Sequence, residues 1–123
     1  MTARRLAIGC AWIATAFFVL TGVWAFAAPR SFFEALATYP PYNEHLFHDA
    51  GAFQLGIAAA LLAALAERSV LAVGLWAGAV GSTLHAVSHW LDINAGGKES
   101  DPYLLTVLAA VVVAGLIGAE RRG

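Results

Sequence analysis

Four long apolar stretches leave this chain few ways to fold. They run over residues 6–28, 46–66, 70–91 and 103–119. Each is close to the roughly 20 residues that a helix needs to cross the hydrocarbon core of a bilayer. The last is the shortest and would stand with little tilt. A membrane barrel would instead show alternating segments of about ten residues. The expectation is an all-α, four-transmembrane-helix bundle, with residues 1–123 forming one integral membrane domain. Composition agrees: 60% of residues are hydrophobic and 12% charged, where a soluble domain has about 45–50% and 25%.

Charge orients the bundle. Arg4, Arg5, Arg68, Arg121 and Arg122 lie at the N-terminus, the turn between the second and third stretches, and the C-terminus. An even number of spans puts those places on one side, and only Arg30 and Lys98 fall on the other. The positive-inside rule predicts that both termini are cytoplasmic. The opposite side collects Glu34, Glu44, Asp49, Asp92, Glu99, Asp101 and all four histidines. No basic stripe is present, which sets nucleic acid aside.

Cys10 is the only cysteine, so no intramolecular disulfide can form. That removes the four-helix disulfide oxidoreductases, which need cysteine pairs. Cys10 reads as a small residue facing lipid or the core. Arg4-Arg5 and Ala25-Phe26-Ala27 resemble the ends of a secretory signal. The apolar run between them exceeds the usual 7–15 or so residues, so a retained helix is expected.

The connections carry their own signals. After Ala28-Pro29-Arg30, Ser31 and Glu34 have capping-box spacing and predict a short interfacial helix after helix 1, carrying Phe32 and Phe33. Tyr39-Pro40-Pro41-Tyr42 stops it, and Asn43 is the expected N-cap of the second span. Glu67-Arg68-Ser69 is a tight turn that makes spans two and three antiparallel neighbours. Residues 94–100 form a polar, glycine-containing loop. Asp101 is expected as N-cap, with Pro102 at the first helical position. Tyr39, Tyr42, Trp90 and Tyr103 fall where an aromatic belt would. Trp12, Trp24 and Trp76 read as lipid anchors or packing residues. Gly115 and Gly118 are expected against the first helix or a partner.

The histidines define the polar centre. At about 100° per residue, Gly74, Gly78, Gly81, His85, His89 and Asp92 share one face of the third span. Glycines let a neighbouring backbone approach, so this face is expected to point into the bundle. His45, His48, Asp49, Ala52, Gly56, Ala59 and Ala63 form a broad small-residue face on the second span. If the hairpin folds about Arg68, residues whose numbers sum to about 137 stand level. His48 then meets His89, and His45 meets Asp92.

A cluster of His45, His48, Asp49, His85, His89 and Asp92 has several possible chemistries. It could ligate a transition metal such as zinc, copper or iron, since imidazoles one turn apart can chelate one ion. It could supply axial ligands to haem. It could handle protons or a small ligand, as ionisable groups inside membranes do. It could also simply tie the two helices together through hydrogen bonds. No phosphate loop, nucleophilic serine motif or dinucleotide fingerprint is present. Metal-dependent membrane hydroxylases and desaturases use more than four histidines. The balance points away from an enzyme.

The four-span layout, the exit Ala28-Pro29-Arg30-Ser31-Phe32-Phe33 and the opening His48-Asp49-Ala50-Gly51-Ala52-Phe53-Gln54-Leu55-Gly56 resemble the DoxX-like family of small bacterial membrane proteins. That resemblance implies a multi-pass protein of the bacterial inner membrane. It also implies an accessory role beside other membrane subunits, in redox and thiol-stress assemblies. The family supplies no shared catalytic residue, and the four histidines are not part of its pattern. Beyond the lipid bilayer, other membrane subunits or a second copy of the chain are the expected partners.

Overall fold

The computed structural model describes residues 2–121. Arg122, counted in the charge argument, lies outside them. Five α-helices follow in order: α1 (Ala3–Ala27), α2 (Pro29–Ala35), α3 (Glu44–Ala66), α4 (Leu71–Leu91) and α5 (Asp101–Glu120). A 3-10 turn, Arg68–Val70, joins α3 to α4. No strand occurs among the described residues. The four long helices are each long and apolar enough to cross a membrane. Their ends fall within a few residues of the apolar stretches.

Within each span, only 28–39% of the most apolar window is buried inside the bundle. Leu20, Phe53, Leu84 and Val107 are all more than 60% exposed. In water such a girdle would drive aggregation, but in a bilayer it is the lipid-facing surface. The chain is a small multi-pass membrane protein.

Small residues set the packing. Ala7, Ala11 and Ala14 line the inner face of α1 and are fully buried. They let Phe18, Leu61, Leu75 and Val112 fill the centre from four helices. α3 packs most extensively on α1, and α4 on α5. The α1–α3 contact is closest where Gly51 meets α1. A Cβ on Gly51 would stand 2.7 Å from the Phe26 nitrogen and 2.8 Å from the Gly22 carbonyl oxygen. Gly115 meets Cys10 on α1, and a Cβ on Gly118 would lie 3.0 Å from the Ala3 carbonyl oxygen. The pair thus packs on the first helix, as expected.

Several local expectations change. Asn43 does cap α3, accepting from the Leu46 N–H at 3.2 Å. The Ser31–Glu34 capping box does not form. Helix α2 starts earlier, at Pro29. Ser31 Oγ accepts from Trp24 Nε1 (3.1 Å), and Glu34 pairs with Arg30 (2.7 Å). Asp101 is already inside α5, and its Oδ2 accepts from the Lys98 N–H at 2.8 Å. Phe32 and Phe33 turn away from lipid and pack edge-on against Phe47 of α3. Helix α2 therefore closes the end of the bundle that carries the histidines.

Candidate functional site

The site lies at that histidine end, opposite the chain termini. Its floor is set by α4. Gly74 meets Ala60 and Ala64 of α3, and Gly81 meets Ile57. The α3–α4 register is therefore the expected one, and the glycine face of α4 points inward. His85 and His89 continue that face upward. His85 sits about 9 Å below the end of α4, at 1.5 Å per residue.

The two imidazoles touch. His85 Nε2 and His89 Nε2 are 3.1 Å apart, and His89 Nδ1 is 2.9 Å from the Tyr39 hydroxyl. With both rings neutral, two tautomer patterns satisfy this chain. In one, Tyr39 donates to His89, and His89 donates to His85. In the other, the direction reverses.

Two loops hold Tyr39 in place. The Gly97 N–H donates to the Thr38 carbonyl at 2.9 Å. Gly97 has φ +77°, and a Cβ there would come within 2.6 Å of the Tyr39 hydroxyl oxygen. Lys98 Nζ donates to the Ala35 carbonyl at 2.9 Å, tying the same loop to the end of α2. Burial holds the Tyr39 phenol above its ordinary value, with Asp101 and Asp92 adding to the shift. Tyr39 was expected in the aromatic belt, but it is half-buried and turned to His89. Trp90 and Tyr103 are exposed and pack ring to ring, as a belt would.

Beneath the rings lies a cavity of about 290 Å³, reached by all five helices. Phe17, Phe32, Phe47 and Leu104 give it an apolar wall. Thr21, Gln54, Tyr39, His85, His89 and Asp101 bring polar groups to it. The Thr21 hydroxyl donates to the Phe17 carbonyl and pairs with the Gln54 side-chain amide. Helical periodicity gives no role to Gln54 or Thr21, and Asp101 is here a cavity residue as well as a partner of the Lys98 N–H. Gln54 carried a usable signal, because a lone amide in an apolar span needs a partner.

The expected meeting of all four histidines does not occur. His45 pairs only with Asp49, at 3.4 Å, and its side chain is 85% exposed. The His48 ring packs on Phe26 of α1, 5.4 Å between centroids. Asp92 is exposed just beyond the end of α4. Among the described residues, no three His, Cys, Asp or Glu side chains gather as a metal-binding group. The cause is the rotation of α3. The close contact at Gly51 turns that side of the helix, with His48 three residues earlier, toward α1. It leaves Ala52, Gly56, Ala59 and Ala63 on the outer surface. Phe47, Ala50 and Gln54 face the cavity instead.

The fold and site define a helical membrane protein with a mainly apolar cavity, carrying a few polar groups, at one end. No family model, curated protein or solved structure matches this chain.

Proposed function

We propose that this chain is an accessory, non-catalytic protein of the bacterial inner membrane, with its arginine end in the cytoplasm, whose histidine end binds a small, mainly apolar molecule by a polar head. The cavity under Tyr39, His89 and His85 carries this reading. Its volume is near the lower bound of about 300 Å³ for ligand pockets. An aromatic wall with a few convergent hydrogen-bonding groups is what such pockets use for affinity and orientation. The DoxX-like layout supports an accessory subunit role in a larger membrane assembly.

A transition metal is the second reading, and one observation favours it. Two imidazole nitrogens 3.1 Å apart suit chelation of one ion. They supply two ligands of the four that a closed zinc site needs. Haem fits less well. Axial ligands sit on opposite faces of a porphyrin, and rings in contact one turn apart leave no plane between them.

Untagged protein purified in detergent tests the proposal. After denaturation and organic extraction, mass spectrometry should find a co-purified small molecule near one per chain. Ala50→Phe, which fills the cavity, should abolish it. An empty wild-type protein, together with higher melting of Ala50→Phe, would make the cavity a mere packing defect. Stoichiometric metal by elemental analysis, lost in His85→Ala without loss of melting temperature, would favour the metal reading.

A further inference from the structure

The arginine end holds a second cavity, an open pocket of about 620 Å³. It lies between the start of α1, the α3–α4 turn and the end of α5. Arg4, Arg68 and Arg121 line it, with Thr2 and Ser69 beside them. Among the described residues, no carboxylate lines it. The two described acids nearby are already hydrogen-bonded. Glu67 accepts from the Ser69 N–H (3.1 Å) and hydroxyl (2.7 Å). Glu120 accepts from Trp76 Nε1 at 2.9 Å. Among the described residues, none of the three arginines forms a salt bridge. Nη1 of Arg68 is buried with no hydrogen-bond partner. A buried guanidinium N–H without an acceptor is costly.

The backbone adds to this field. α1 begins here, with no side-chain cap and no acidic residue in its first turn. Its positive dipole end faces the pocket. α4 adds less, because it is entered through the 3-10 turn, whose Ser69 N–H is already taken by Glu67. The end of α5 opposes α1, but three guanidinium groups outweigh its partial charge. The pocket lies at the ends of the spans, where lipid headgroups sit. Guanidinium groups bind phosphate in a bidentate fork.

We infer that this pocket binds a phosphate-bearing anion, held by Arg4, Arg68 and Arg121. An anionic phospholipid headgroup and a free phosphate share this chemistry, and basic pockets between membrane helices do take lipid headgroups.

The test is thermal melting of the full chain in dodecyl maltoside with three separate additions. These are dioleoylphosphatidylglycerol, dioleoylglycerol (the same tails without phosphate) and inorganic phosphate. The phospholipid or inorganic phosphate should raise the melting temperature by about 3–5 °C, and dioleoylglycerol should not. A response to the phospholipid alone assigns the ligand to lipid, and a response to inorganic phosphate assigns it to a soluble anion. Arg68→Gln should abolish the shift. Since Arg68 sits in the hairpin turn, the double variant Arg4→Gln/Arg121→Gln is a second arm with the same expected loss. Arg5→Gln removes the same charge at the same end, outside the pocket, and should keep the full shift. No shift with either phosphate probe would overturn the inference. So would an equal shift with dioleoylglycerol, an unchanged shift in the Arg4/Arg121 variant, or its loss in Arg5→Gln.

Discussion

A methyl group built on Gly74 of α4 would stand 2.4 Å from the Ala64 Cβ, whereas one built on Gly56 of α3 meets nothing within 4 Å. Both glycines belong to stripes of small residues on one hairpin. The α4 stripe is packed, and the α3 stripe faces outward. Nearer the histidine end, the packed stripe is filled by large residues from its neighbours. Ile57 of α3 enters beside Gly81, and Leu61 of α3 and Val112 of α5 enter beside Gly78. Where one helix offers a groove, its partner must offer a ridge. At Gly74 the packing is instead small on small, against Ala60 and Ala64, and there the two helices come closest.

The sharpest way to break this comparison is Gly74→Val. It forces α3 and α4 apart and should cost about 3 kcal/mol, read as a large drop in melting temperature in detergent. Gly97→Ala comes next. Its positive φ and the Tyr39 hydroxyl both oppose a Cβ, so about 1–2 kcal/mol should be lost. His89→Ala should cost about 1 kcal/mol, because it leaves Tyr39 and His85 without a partner.

A smaller effect depends on pH. The Tyr39 phenol sits above its ordinary value of 10.0, so the fold favours the neutral form. The contribution is fully present below that value and is lost as pH rises through the higher folded value. Melting measured from pH 9 upward should therefore fall less in Tyr39→Phe than in wild type. The smallest effect belongs to the exposed stripe. Gly56→Ala should change stability by less than about 1 kcal/mol, toward the stable side, because alanine restricts the unfolded chain and meets no neighbour. A large loss there would mean that the α3 stripe is packed after all.

The same contrast explains how far the sequence was legible. The four spans, the hairpin register near Gly74 and the inward face of α4 were readable, because length and a polar continuation of the glycine stripe leave little choice. The rotation of α3 was not. Alanine and glycine are as acceptable toward lipid as toward a neighbour, so Ala52, Gly56, Ala59 and Ala63 do not vote. The residues that decide it are Gly22 and Gly51, which meet across a pair of helices far apart in sequence. By residue type alone, Tyr39 suits an interfacial belt. Only the contact with the Gly96–Gly97 loop turns its hydroxyl onto His89.

Through-space contacts between side-chain rings test the central claim most directly. Protein labelled in its histidine, tyrosine and phenylalanine rings, examined by nuclear Overhauser spectroscopy, should connect His85 to His89, His89 to Tyr39, and His48 to Phe26. Contacts joining His48 to His89 would contradict the account, since they would restore the single four-histidine cluster.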